Sequence, residues 1–189
     1  RGLGDVYKRQ LHTNGKLYTS DKWNYSWRND AVGVALISDN SSFVISGIEI
    51  KNRSWSNTTG LIQGVTTITS SNEAKKDFNG FQNTQSIAEY THASAAYECT
   101  VTQFKNGQMG YLASVGEWME IINNLDEINR CMSLIDGLDI DEGATSYWTS
   151  TQYNYEKAWL VTYNGNEFYP NDERKGVSFY AIRVISQLI

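Results

Sequence analysis

The sequence predicts an α+β fold, with strands first, helices in the middle and strands again to the C-terminus. Three observations carry that prediction. Residues 31–50, AVGVALISDNSSFVISGIEI, hold two β-branched apolar runs about an Asp-Asn-Ser-Ser turn, the pattern of a hairpin. Residues 113–137, ASVGEWMEIINNLDEINRCMSLIDG, open on a Ser114–Glu117 capping box and close on Gly137, the pattern of helix. Beyond Gly143 the texture is strand-like, and Asn164-Gly165 reads as a hairpin turn. Strands flanking helices in this order bring the two ends of the chain together in one sheet.

The elements follow in order. The opening RGLGDVYKRQ has neither amphipathic period nor capping logic and resembles translated adapter sequence. Residues 1–14 are therefore set apart as a non-native or disordered arm, and residues 15–189 are read as a single domain. Trp23, Tyr25 and Trp27 alternate with polar residues, which suggests a strand or an aromatic-anchored loop. Val32–Ile37 and Phe43–Ile50 are the arms of the first hairpin. Residues 51–85, rich in Ser, Thr, Asn and Gly, read as long loops, and Asn24, Asn40, Asn52 and Asn57 each open an Asn-x-Ser/Thr triplet taken as chance. From Ile87 to Cys99 the texture is helical. Over 115–136, Val115, Trp118, Met119 and Ile122 share one face. Asn124–Glu127 repeats the capping signal, and Leu125, Ile128, Met132 and Ile135 continue an apolar stripe, so one or two helices are expected with that stripe in the core. Tyr147–Thr151, Ala158–Tyr163, Glu167–Tyr169 and Phe179–Ile185 are the later strands.

Bulk properties narrow the function. The chain has 189 residues and a net charge of -5 with no basic stripe, which argues against nucleic-acid binding through phosphate neutralisation. No apolar run is long enough to span a bilayer and no signal-peptide pattern is visible. The two cysteines, Cys99 and Cys131, are no disulfide framework; they either pair or serve as small buried hydrophobes.

YWTSTQYNYEKAWLVTYNG, residues 147–165, crowds Tyr and Trp among Thr, Ser, Gln and Asn. Part of such a stretch belongs in a core and part on a contact surface, because Tyr gives rigid contact area while Asn and Ser give adaptable hydrogen bonds. GYLASVGEW (110–118), Asn123 and Asn124, YWTST (147–151), Ala158-Trp159, V-x-Y-N-G (161–165) and I-R-V-I (182–185) together resemble a C-type lectin-like family of gut bacteria and their phages. That family is related to the formylglycine-generating-enzyme fold and to variable proteins diversified by retroelements. AVGVALIS (31–38), DFNGFQNTQSI (77–87) and SAAYEC (94–99) fit the same pattern, so the resemblance covers roughly residues 15–189.

The resemblance implies a C-type lectin-like fold, with a small twisted antiparallel sheet, two helices and long irregular loops. It implies framework roles for Trp118, Trp148, Trp159, Val161 and Arg183, and a ligand-binding face in the last forty residues. The expected contacts are Tyr153, Asn154, Tyr155, Thr162, Asn164, Phe168, Tyr169, Asn171, Asp172 and Phe179, each of which has a structural Tyr/Asn network as its alternative. The expected role is a non-catalytic receptor-binding or adhesive domain of a phage tail fibre or bacterial surface appendage. It would be extracellular, on a virion or cell surface, and would meet a cell-surface protein or glycan, with homo-oligomers, trimers in a tail fibre, as a further option. Gln152, Glu156, Lys157 and Glu173 depart from what adenine mutagenesis of Asn-type codons yields, so these positions are fixed or the protein is a static member.

Catalysis does not carry over. The formylglycine-generating relatives use two cysteines in the C-terminal part of the fold, where this chain has none. His12 and His92 are far apart in sequence, and no Ser-His-Asp ordering or His-rich metal cluster is visible. The calcium motifs of carbohydrate-binding relatives, Glu-Pro-Asn or Gln-Pro-Asp and Trp-Asn-Asp, are missing, and the single proline is Pro170. No cofactor is assigned. Asp136, Asp139, Asp141 and Glu142 are the remaining calcium candidates, with a solvated acidic loop as the alternative, and Asp172 with Glu173 offers too few ligands alone. The rivals to the binding domain are a divergent enzyme of this fold and a structural subunit whose aromatic face is an oligomer contact.

Overall fold

The computed structural model describes residues 6–140 and 146–189. Its elements are β1 (Tyr7–His12), β2 (Leu17–Tyr18), a 3-10 helix (Tyr25–Asp30), β3 (Ala31–Ile37), β4 (Ser42–Arg53), α1 (Ser71–Ala74), α2 (Gly80–Tyr90), α3 (Ala95–Thr100), β5 (Gly110–Leu112), α4 (Val115–Asn123), α5 (Leu125–Ser133), β6 (Ser146–Gln152), β7 (Lys157–Tyr163), β8 (Phe168–Arg174) and β9 (Tyr180–Gln187). The α+β order of strands, helices and strands is therefore present. The sheet is large and mixed where a small antiparallel one was expected. It has nine strands in the order β2-β1-β3-β4-β9-β6-β7-β8, with β5 also on β9. All pairings are antiparallel except β6 on β9, joined at Tyr147 and Ala181.

Both faces of the sheet are covered. Side chains alternate over the second half of β3, Val34 and Leu36 to one side and Ala35 to the other, and an irregularity in the pairing with β1 near Val32 puts that residue on the Ala35 side. The first face packs against α4 and α5 through Trp118, Ile121, Ile128 and Met132. The second packs against Trp55, α2 and α3 through Ile87, Ala95, Ala96 and Cys99. A small third cluster joins Ala74, Val115 and Trp159. Burial on both faces explains the near-continuous apolar texture of β3 and β9. Cys131 and Cys99 lie in opposite cores, and both are free and buried. Burial pushes the Cys99 thiol well above its ordinary range.

Several local expectations change. Residues 1–5 lie outside the described residues, but Tyr7–His12, set apart from the domain by sequence, pair with β3 from Tyr7↔Ile37 to His12↔Ala31 and bury Gln10 and Leu11. The bonds are made by backbone groups at the open edge of β3, which amphipathic period does not report. Trp23, Tyr25 and Trp27 form no strand. Asn24 caps a 3-10 helix there by accepting from Ser26 N, and the rings of Trp23, Trp27, Tyr18 and His12 gather with centroids 5.1–6.1 Å apart. Within the expected loop 51–85, β4 runs on to Arg53 and α1 and the start of α2 appear.

Two buried polar networks hold the layers. Arg183 on β9 donates to Glu49 Oε1 at 2.7 Å and to the carbonyls of Ser46 (3.2 Å), Leu138 (2.8 Å) and Asp139 (2.9 Å). Tyr147 donates to the same Glu49 oxygen, and burial holds its phenol well above the usual range. Deeper between α2 and α4, Asp77 accepts from Thr151 Oγ1 (2.7 Å) and Asn83 Nδ2 (3.0 Å), and its carbonyl accepts from Ser114 Oγ (2.6 Å). Glu117 closes the capping box by accepting from Ser114 N at 2.8 Å, and it also accepts from Tyr111 Oη at 3.2 Å. Gly80 makes room for this carboxylate, since a Cβ there would lie 2.0 Å from Glu117 Oε2.

Candidate ligand-binding surface

The crowded aromatics of 147–165 sort by strand register. β7 pairs with β6 (Tyr147↔Val161, Trp148↔Leu160) and with β8 (Thr162↔Tyr169, Trp159↔Asp172). Ala158 to Val161 are buried on both faces, so the rings of Tyr147, Trp148 and Trp159 are core. The two Trp residues also tie loops down, since Trp148 Nε1 donates to Arg53 O at 2.8 Å and Trp159 Nε1 to Ile68 O at 2.7 Å. Trp118 lies 4.8 Å from Tyr147, ring to ring. The five expected framework side chains, Trp118, Trp148, Trp159, Val161 and Arg183, are all buried.

The ten expected contact residues do not form one face. Phe168 is core: it is buried against Tyr147 and Tyr163 because position 168 points to the same side of the sheet as Tyr163 and Val161. Thr162, Tyr169 and Asn171 share the opposite side of β7–β8, while Asp172 returns to the Phe168 side and pairs with Lys157 at 2.6 Å. Thr162 shares a hydrogen bond with Ser146 at 3.0 Å, and Asn171 accepts from Asp172 N. Asn154 and Asn164 work as turn residues, each accepting from two backbone amides that follow it. Asn164 opens a four-residue turn with Gly165 at φ +92°. Tyr153 leans on Trp159 at 5.1 Å with the Lys157 ammonium over its ring. The truly open aromatics are Phe179 (81% exposed), Tyr155 (54%) and Tyr169 (37%). Tyr155 donates to Glu156 at 2.9 Å, a bond that raises its phenol pKa. Tyr180, beside Phe179, donates to Glu173 at 3.1 Å, on the same side of β8 as Tyr169.

Three concavities lie around this sheet. One of about 430 Å³ sits at the Asn164 turn, between the α4–α5 junction and β7–β8, with Lys8, Asn123, Asn124, Tyr163, Asn166 and Glu167 among its walls. A second, of about 410 Å³, is bounded by Leu61, Ile62, Gln63, Ser86, Glu89 and Tyr90. The smallest, about 250 Å³, lies beside Arg28, Ile48, Phe104 and Asp136. Of the proposed calcium ligands, Asp136 is engaged by Arg28 at 2.9 Å and Tyr25 at 2.6 Å, Asp139 gives its carbonyl to Arg183, and Asp141 and Glu142 lie outside the described residues. Among the described residues no three His, Cys, Asp or Glu are grouped to hold a metal ion. The buried Tyr111–Glu117 pair borders none of the three concavities.

No protein-family model and no curated protein matches the chain. Its backbone superposes on the crystal structure of a fimbrial protein from Bacteroides ovatus ATCC 8483, with a TM-score of 0.68, 14% identity and 94% of this chain covered. The chain spans 48% of that protein's length. At this identity the likeness is one of fold: a mixed α+β domain with a large sheet and few helices. Among the described residues no helix is long and apolar enough to cross a membrane.

The second concavity had no signal in the last forty residues, where the binding face was expected, because its walls come from the loop after Trp55 and from α2. Its trace in the sequence is the apolar pair Leu61-Ile62 between Gly60 and Gly64, in an otherwise polar loop.

Proposed function

We propose that this chain is a non-catalytic binding domain of a bacterial surface appendage, in the manner of an adhesin, presenting a cell-surface protein or glycan with the solvent side of β7–β8. The observation that carries the reading is the open set of Tyr169, Asn171 and Phe179, on and after an edge hairpin anchored in the core by Ala158–Val161 and Phe168. Rings and amides fixed on a rigid sheet lose little entropy when they meet a ligand. The fimbrial likeness supports the appendage setting. The layout is also compatible with a C-type lectin-like relationship, in which the paired terminal strands β4 and β9 and the later β6–β7–β8 strands would be the shared frame.

Labelled protein retained on cultured epithelial cells and on bacterial cells tests this. Phe179→Ser combined with Tyr169→Ser should lower retention by about tenfold or more, as loss of an aromatic anchor does. The melting temperature should stay within about 2 °C, since both side chains are open to solvent. Undiminished retention by this variant on every surface that holds the parent would reject the β7–β8 face.

A further inference from the structure

We propose that the concavity between the loop 60–64 and α2 is a metal-independent site for a neutral saccharide unit, with Tyr90 as its stacking platform. Its volume of about 410 Å³ is in the range of small-ligand sites and takes one or two sugar rings. The inference rests on the binding-domain reading above for its setting, and it places the site outside residues 147–180.

The walls have two kinds of surface. Leu61 (60% exposed) and Tyr90 (53% exposed) hold apolar area open to water although neither element needs it for packing. Gln63, Ser86 and Glu89 stand around them with an amide, a hydroxyl and a carboxylate. None of these three side chains, nor the Tyr90 hydroxyl, bonds another described residue. Such a set can donate to and accept from vicinal hydroxyls while a ring face receives the apolar C–H face of a pyranose. The backbone of Gly60 and Ile62 is already bonded within the chain, so recognition at this rim falls mainly to side chains. Gly60 N is bonded to Tyr155 O (2.8 Å), Gly60 O to Lys175 Nζ (2.6 Å), and Ile62 N and O to the Gln152 amide (3.1 and 3.4 Å). No Lys or Arg lines the concavity and Glu89 does, so an anionic sugar is disfavoured.

The site is also built in advance. Lys175, buried over the Trp55 ring at 4.9 Å, and Gln152, 2.7 Å from it, clamp the loop from beneath. Gly64 has φ +81°, and a Cβ there would stand 2.7 Å from Ser86 Oγ, so a glycine keeps that hydroxyl open. A Cβ on Gly60 would lie 3.6 Å from Tyr90 Oη.

The test is a titration of the whole chain, followed by amide chemical shifts, with methyl glucoside, N-acetylglucosamine, glucuronate and tetralysine. A neutral sugar should move the amides of residues 60–66 and 86–91 with a Kd of about a millimolar, and glucuronate should bind at least about tenfold more weakly. Tyr90→Ala should weaken the neutral sugar by about tenfold, Gln63→Ala by less, and both should melt with the parent because both side chains are exposed. Tyr169→Ser should leave the titration unchanged. No shift in those amides with either neutral sugar at about 50 mM, an unaltered Kd for Tyr90→Ala, or stronger response to tetralysine than to any sugar would each overturn the proposal. Such a failure, with cell retention intact and still dependent on Phe179 and Tyr169, would leave the adhesive reading standing.

Discussion

Two buried ionisable side chains give this protein opposite responses on the two sides of neutral pH. Burial raises the Glu117 carboxyl from 4.5 to about 7, although Ser114 and Tyr111 donate to it. The folded state then binds more protons than the unfolded one between those values, so this group's contribution to stability is full below about pH 4.5 and is lost by pH 7. Burial lowers Lys175 from 10.5 to about 8, so the cost of its charge is present below pH 8 and relieved by pH 10.5. Stability from the pair is therefore least between pH 7 and 8. Glu117→Gln retains a capping-box acceptor at the third position of α4 and removes the first response. Thermal melts from pH 5 to 8 should show the variant gaining on the parent as pH rises, by a relative change on the order of 2–3 kcal/mol for a shift from 4.5 to about 7. Parallel curves for the two proteins would mean that Glu117 ionises normally and that its burial is relieved in solution.

At the scale of elements, the loop 54–70 depends on side chains that reach it from α2, from β6 and from the chain just after β8. Gln152 bonds Ile62 on both backbone groups, Asn83 accepts from Thr66 N at 2.9 Å, and Lys175 holds Gly60. Lys175→Met keeps the apolar stem against Trp55 and removes the ammonium, leaving Gly60 O without its donor. Amide exchange at Ile62 and Gly60 should quicken by about tenfold or more, the worth of one charged hydrogen bond, while amides in β9 stay protected. Equal exchange in parent and variant would show that the loop is held by packing of Ile62 and Val65 alone. This element also marks how far the sequence could be read. The hairpin arms and the capping box at Ser114 were legible because each is a local pattern, whereas one or two helices were open over 115–136 and the framework roles of Trp148, Trp159 and Arg183 came from the resemblance alone. The loop was not legible, because Gln152, Asn83 and Lys175 meet it from positions 17 to 115 residues away. For the same reason the resemblance listed Phe168 with Tyr155, Tyr169 and Phe179 as an expected contact, whereas register with β7 sends Phe168 inward, and only the fold sets Tyr90 beside Leu61.

Over the whole molecule, the sheet's two ends are finished differently. β8 ends one side with Pro170, which has no amide to donate, and with Glu173 and Arg174, residues that discourage a further strand. The other side of the core sheet is closed by β1 and the short β2. If Tyr7–His12 are removed, β3 becomes an edge of seven residues, AVGVALI, uncharged and unprotected. Such an edge pairs with whatever strand it meets. Deletion of residues 1–13 should also expose the apolar surface around Leu11 and lower the melting temperature by several degrees. Size-exclusion chromatography with light scattering should show concentration-dependent self-association of the shortened chain, against a parent that does not change with concentration. A shortened chain that stays monomeric and melts with the parent would instead make β1 an accessory strand and place the domain's true edge at β3.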